Sequence, residues 1–157
     1  MGAVRVNVKL INEIDRKLVN RGLLNPNLLR SYEAEALVDT GSSSLVIPMD
    51  VAEYLGLKMV ERQMVTYADG REEIVSLTGR VILYISGFDT VQTALATGNQ
   101  VLIGQTVLED LDLLVDCKNH RLIPNRCQAR DINVIWRKID DKYSKTQNYE
   151  YCRSRGA

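Results

Sequence analysis

The sequence is short of the residues on which most hydrolytic and metal chemistry draws. One histidine stands in 157 residues, so any Ser–His–Asp or Cys–His relay would have to run through His120. That residue lies in CKNHRLIPN, a polar turn segment, and reads as an ordinary surface imidazole. A zinc site of the His-rich kind cannot be assembled either, and no metal is expected. Three cysteines, Cys117, Cys127 and Cys152, are odd in number and lack CxxC spacing. They read as thiols of a reducing compartment, not as a disulfide frame. Long apolar runs are missing: none approaches the ~20 residues of a membrane span. The opening MGAVRVNVKL has no signal-peptide layout, and Val6 stands where a myristoylation site needs Ser or Thr. A cytoplasmic protein without a membrane partner is the expectation. Charge of one sign is lacking too: 20 Lys/Arg balance 20 Asp/Glu, which excludes a general polyanion-binding surface and nucleic acid as an expected partner.

The balance is uneven along the chain. From Arg126 onward eight Lys/Arg stand against four Asp/Glu, which leaves twelve against sixteen before that point. Length and composition fit one domain with a tail. Residues 1–125 are assigned to the domain. Residues 126–157 are expected to form a C-terminal extension, partly helical or disordered, with a role of its own. In it Ile132, Ile135, Trp136, Ile139 and Tyr143 recur at helical spacing, while Ile132, Val134 and Trp136 alternate as in a strand. Trp136 reads as an anchor packing the tail onto the body.

The domain itself reads as many short strands. Val4, Val6, Val8 and Leu10 alternate with polar residues, the mark of a half-buried strand. Residues 12–30 read as a connection with one short helical piece. A strand from about Tyr32 to Val38 runs into DTGSSS, and a second strand follows from Ser44 to Ile47. Pro48 ends it, and MDVAEYLGL reads as a short helix stopped by Gly56. Between residues 59 and 97, Asp69-Gly70 marks a hairpin, and Gly79 and Gly87 mark bends or bulges. VLIGQTVLEDL then offers an apolar strand, a glycine and a helix, and two more short strands close the domain.

The chemistry resides in the DTGS turn. An aspartate at the end of a buried strand is costly to ionise without compensation. Gly41 has no side chain, so its N–H can approach the Asp39 carboxylate; Ser42 offers another donor, and the Thr40 hydroxyl is free to point elsewhere. One such acid does not readily cleave an amide, but two within a few ångströms share a proton: one activates water while the other protonates the carbonyl oxygen. The chain holds a single D-[ST]-G. Asp89-Thr90 is followed by Val91, and Asp69-Gly70 lacks the hydroxyl. A second carboxylate would therefore come from a second copy across a two-fold axis.

Leu37-Val38-Asp39-Thr40-Gly41-Ser42 resembles the active-site motif of the aspartic peptidases. With its small size and single motif, the chain looks like the retroviral-type, retropepsin-like branch, closest to its bacterial single-domain members. Two further stretches match in order: YADGREEIVSLTG (67–79) at the place of the flap hairpin, and Val101-Leu102-Ile103-Gly104 ahead of the helix QTVLEDL. The resemblance runs from about residue 4 to about residue 125.

It implies a mostly β fold: a small, closed, barrel-like retropepsin architecture with a flap hairpin and one or two short helices. It implies Asp39 as the catalytic acid, Thr40 bonding across the dimer axis, and Gly41 and Ser42 supporting the carboxylate. Tyr67, Ala68, Asp69, Gly70 and Arg71 would form the flap tip. Leu45, Val46, Ile47, Leu102, Ile103 and Gly104 would line substrate pockets or pack behind the turn. The activity implied is endopeptidase cleavage of peptide or protein substrates by a homodimer, with no cofactor. Three features depart from the family: a long connection from Asn12 to Arg30, a flap tip with one glycine, and residues 126–157 without a counterpart. The alternative is the same fold used as a dimerisation or peptide-binding module with little turnover. A further alternative has the tail covering the cleft or the dimer surface.

Overall fold

The computed structural model describes residues 2–125. The expectations for 126–157, including Ile132, Val134, Ile135, Trp136, Ile139, Tyr143, Cys127 and Cys152, lie outside the described residues. Among the described residues Cys117 is an exposed free thiol, and no helix is long and apolar enough to cross a membrane.

The first strand, β1 (Arg5–Asn12), buries Val8 and Leu10 and exposes Arg5, Asn7 and Lys9, as the alternation predicts. It ends in an element that the sequence reading left mostly as loop. Asn12 caps α1 (Glu13–Asn20): its side-chain oxygen accepts from the Ile14 and Asp15 amides at 2.9 and 3.4 Å. Its side-chain amide donates to the carbonyls of Leu55 and Gly56, so one buried side chain ties two helix ends together. A 3-10 turn at Pro26–Leu28 completes the connection to β2 (Ser31–Val38).

After the turn at 39–44 come β3 (Leu45–Ile47) and α2 (Met49–Tyr54), followed by the long hairpin of β4 (Met59–Thr66) and β5 (Glu72–Thr78). Strands β6 (Val81–Ile85) and β7 (Phe88–Gln92) are joined through Ser86 and Gly87, both at positive φ. This is the tight primed turn that suits the twist of two strands. The Asp69-Gly70 hairpin is built differently. The Gly70 amide donates to the Tyr67 carbonyl at 2.9 Å and Gly70 sits at φ +83°, a wider loop closed by a left-handed glycine. Strands β8 (Ala94–Ala96) and β9 (Leu102–Ile103), α3 (Gln105–Asp110) and the hairpin of β10 (Leu113–Asp116) and β11 (Arg121–Pro124) complete the described chain.

Nine strands form one sheet in the order β4-β5-β8-β3-β9-β2-β1-β6-β7, and β10 and β11 form a separate pair. The fold is mostly β, as expected. Among the described residues the sheet does not close: β4 and β7 are its two ends and do not pair with each other, so the expected closed barrel is not formed by these strands. Among the described residues there are three α-helices and a 3-10 turn, matching the three short helical pieces read from the residues and exceeding the one or two that the resemblance implied.

The main core gathers Leu10, Leu45, Ile47, Leu55, Leu83, Ile85, Ile103 and Val107, all under 2% exposed. Burying each such Leu or Ile contributes about 1.5–3 kcal/mol. A second, smaller cluster of Val46, Val75 and Leu95, edged by Val65, Leu77 and Leu102, fills the space where β3, β5 and β8 meet. The core therefore holds the strands on both sides of the DTGS turn.

Candidate active site

The turn is fixed by a strand crossing that separates the two apolar runs around it. Strand β9 lies between β2 and β3, parallel to β2 (Leu37↔Leu102, Val38↔Ile103) and antiparallel to β3 (Val46↔Leu102). The chain leaves β2 at Val38, passes over β9 and re-enters the sheet at Leu45 on its far side. Residues 39–44 must bridge that gap, so they leave the sheet just where a carboxylate stands.

Hydrogen bonds hold the bridge at each step. The Asp39 amide donates to the Ile103 carbonyl at 2.9 Å, and the Ser42 amide donates to the Asp39 carbonyl at 3.1 Å. The first amides of α3 grip the other side: Gln105 N–H donates to Ser42 and Thr106 N–H to Ser43, at 2.8 and 3.0 Å. The Gly41 amide donates to Asp39 Oδ1 at 3.0 Å, which orients the carboxylate and leaves Oδ2 for other partners. Asp39 is half-buried, and Thr40 and Gly41 are exposed. The Ser42 hydroxyl donates to the Ser44 carbonyl at 3.3 Å.

Gly104 is the residue on which the turn rests. Its φ of −84° is open to any amino acid, so the requirement is space. A Cβ there would stand 2.4 Å from the Ser44 carbonyl oxygen, 2.7 Å from the Ser44 nitrogen and 2.8 Å from the Ser43 carbonyl carbon. These are backbone atoms, which have no rotamer by which to withdraw. The closeness of this packing is what lets the α3 amides reach the turn.

The residues expected to line a pocket divide by strand period. Leu45, Ile47 and Ile103 point into the main core and are 1%, 0% and 0% exposed. For Ile103 this is the packing behind the turn that was one of its expected roles; Leu45 and Ile47 are turned from a cleft to the core, a correction whose cause is that successive side chains on a strand point to opposite faces. Val46 and the half-buried Leu102 belong instead to the second cluster, against Val65, Val75 and Leu77 of the hairpin. Of the expected pocket residues, these two are the ones that face the hairpin side.

The hairpin tip carries its own polar network. Tyr67 donates to Glu73 Oε2 at 2.6 Å, and Arg71 pairs with Asp69 at 2.6 Å while lying over the Tyr67 ring at 5.3 Å. The bond to Glu73 holds the Tyr67 hydroxyl above its ordinary pKa, opposed by a hydrogen bond with Thr97. Arg71, through its backbone amide and side chain, draws the exposed Asp69 below the usual carboxylate range. Ala68 and Gly70 are exposed, and a Cβ on Gly70 would meet open space. Among the described residues no hydrogen bond or ion pair joins residues 67–71 to the DTGS turn. The tip leans on Thr97, whose amide donates to Ile47, so the structure brings Asp39–Ser42 together with Ile103 and Gly104 but leaves the tip separate. Sequence reasoning missed the α3 amides as supports of the turn, although their place directly after Gly104 signals a helix start.

Among the described residues no group of three or more His, Cys, Asp or Glu could hold a metal ion. Residues 29–81, which span β2, the DTGS turn, β3, α2 and the hairpin, match the family described as aspartyl protease. That match takes in the Asp39 motif, whose resemblance is to the aspartic peptidases. No curated protein matches the chain. Among solved structures, the solution structure of the simian foamy virus (mac) protease is similar, with 11% identity and a TM-score of 0.43. That likeness covers 67% of this chain and 91% of the viral one.

Proposed function

We propose that the chain is an aspartic endopeptidase that works as a homodimer, each subunit giving one Asp39. The observation that carries this reading is the fixed, half-buried Asp39, with Oδ1 held by Gly41 N–H. Beside it stands an exposed Thr40 whose hydroxyl has no partner among the described residues. Two such turns brought together across a two-fold axis place like carboxylates side by side, so that they share one proton. The ionised member takes a proton from water as the water oxygen attacks the peptide carbonyl, and the protonated member gives its proton to the carbonyl oxygen. Collapse of the tetrahedral intermediate breaks the C–N bond, with a proton passing to the leaving nitrogen. The partner Thr40 hydroxyls lock the two turns to each other.

Substrate lies extended between the floor and the hairpin, its backbone pairing with strand edges, and Val46 and Leu102 favour apolar side chains. Replacing Asp39 by Asn removes the shared proton while keeping shape. Turnover of a peptide library, read across about pH 3 to 8, is expected to fall by at least about 10²–10⁴-fold with dimer mass unchanged. Cleavage retained by Asp39→Asn overturns the reading. Peptide bound by the wild type without cleavage at any pH leaves a binding module. Because the site needs two chains, specific activity falls with dilution below the dimer dissociation constant; a specific activity independent of concentration down to the monomer range refutes the shared site.

A further inference from the structure

On the side of the large sheet that carries the second cluster, one row of paired residues crosses six strands. Leu37 of β2 stands opposite Leu102 of β9, Leu102 opposite Val46 of β3, and Val46 opposite Leu95 of β8. Leu95 in turn faces Leu77 of β5, and Leu77 faces Glu61 of β4. Residues directly opposite each other share a face, so this side holds an apolar row that ends in a carboxylate. Val65 and Val75 pack in the same cluster and continue the apolar surface along the hairpin. Followed along the strand directions, Asp39 lies two residues beyond Leu37 on one side of the row. Glu73 lies on the other side, four residues before Leu77.

Glu73 belongs to this face on two counts. It alternates with Val75 and Leu77 along β5, and its partner across the hairpin is Val65. Its carboxylate is exposed yet held in place: Oε2 accepts the Tyr67 hydroxyl at 2.6 Å. The Tyr67 oxygen is also hydrogen-bonded with Thr97, whose amide donates to Ile47 of β3 at 3.0 Å. A phenol has one proton to give; with that proton on Glu73, the Thr97 hydroxyl donates the second bond. Through Tyr67 and Thr97 the carboxylate is thus tied to the strand that leaves the DTGS turn. No ion pair neutralises Glu73 among the described residues, and Arg71 at the tip is taken by Asp69 at 2.6 Å. By strand alternation, β4, β5, β8, β3, β9 and β2 present no Lys or Arg on this side. Of its other acids, Glu35 pairs with Arg5 and Glu33 stands opposite Lys9, while Glu61 lies at the sheet's end.

We propose that Glu73 determines specificity by receiving a Lys or Arg side chain of the substrate. The preferred peptide then carries apolar residues at the scissile bond and a basic residue beyond them. The inference rests on the proposed peptidase site, because a strand laid between Asp39 and the hairpin crosses the apolar row before it meets the carboxylate. The probes are fluorescein-labelled extended peptides with Leu and Phe at the centre and either Lys or Gln on both flanks. Their binding to full-length Asp39→Asn is read by anisotropy, and their cleavage by the wild type as kcat/KM. The Lys peptide is expected to bind about fivefold more tightly at low salt, the upper worth of an exposed ion pair, with a similar ratio in kcat/KM. Glu73→Gln keeps an acceptor for Tyr67 but removes the charge, so in either background the ratio falls toward one. Glu72→Gln removes the same charge one residue away, on the opposite face, and keeps the ratio. Circular dichroism checks that each variant is folded. Equal affinity for the two peptides, or binding of neither, overturns the proposal. So does a ratio that survives Glu73→Gln, or one that Glu72→Gln abolishes as well. A binding preference without any cleavage refutes the endopeptidase reading and leaves this one standing; cleavage without preference does the reverse.

Discussion

Replacing Gly104 by Ala tests the support of the DTGS turn at one atom. The new methyl would lie 2.4 Å from the Ser44 carbonyl oxygen and 2.7 Å from the Ser44 nitrogen, roughly 1 Å inside normal contact for such atoms. Helix α3 and the turn must then separate, because Ser43 and Ser44 present backbone there. Separation stretches the bonds from Gln105 N–H to Ser42 and from Thr106 N–H to Ser43, now 2.8 and 3.0 Å. Overpacking of this kind costs about 1–3 kcal/mol, and each amide bond weakened adds about 0.5–1.5 kcal/mol. Together these predict a loss of about 2–6 kcal/mol in urea unfolding, on a protein whose whole stability is about 5–15 kcal/mol. A displacement near 1 Å at the carboxylate is also expected to lower turnover about 10²-fold. Gly70→Ala is the control: Gly70 has a positive φ but open space around its missing Cβ, so it costs about 1 kcal/mol of local strain without a steric clash. A Gly104→Ala protein with a wild-type urea midpoint and wild-type turnover would refute the claim that the turn rests on this glycine.

Asn12→Ala removes a helix cap and two donations to the end of α2, with an expected loss of about 1–3 kcal/mol in urea unfolding; a change below 0.5 kcal/mol, about the scatter of neutral surface substitutions, would contradict it. The Asp15 carboxylate, buried and gripped by Arg30 through Nε at 2.7 Å and a second nitrogen at 2.8 Å, titrates below its ordinary range because of that hydrogen-bonded guanidinium. Its contribution is therefore complete above the unfolded carboxylate pKa of about 3.9 and is lost as pH falls through the lower folded value. Arg30 is half-exposed, which moderates the effect, so Arg30→Met is expected to cost about 1–3 kcal/mol near neutral pH. Urea midpoints measured down the acid limb should show that difference shrinking below about pH 4; a constant gap would refute the assignment.

Much of the fold was legible in short stretches. Arg5–Asn12 shows its faces by simple alternation, Gly56 stops α2 at φ +63° as its place in the sequence suggests, and the hairpin follows its turn residues. Other features were hidden because they depend on distant partners. Glu13 and Asp15 lie in the stretch read only as a connection with a helical piece, and both are buried where they pair with Arg80 and Arg30. Thr78, a polar residue at a strand end, is fully buried and accepts the Ala94 amide at 3.1 Å. The run Leu45–Ile47 reads as one apolar wall, whereas Leu45 and Ile47 turn to one cluster and Val46 to the other.

The sequence by itself determined the chemistry on offer: one Asp-Thr-Gly-Ser turn between apolar strands, no histidine relay, and a glycine after Leu102-Ile103 at a helix start. Those features are local, set by residue type and spacing within a few positions. Only the tertiary structure decided that β9 slides between β2 and β3, that the sheet stays open at β4 and β7, and that Gly104 sits under Ser44. Strand order is chosen by the burial of whole faces and by hydrogen bonds between segments some sixty residues apart, such as Asp39 N–H to Ile103, and no local pattern encodes which distant strand will fill the gap.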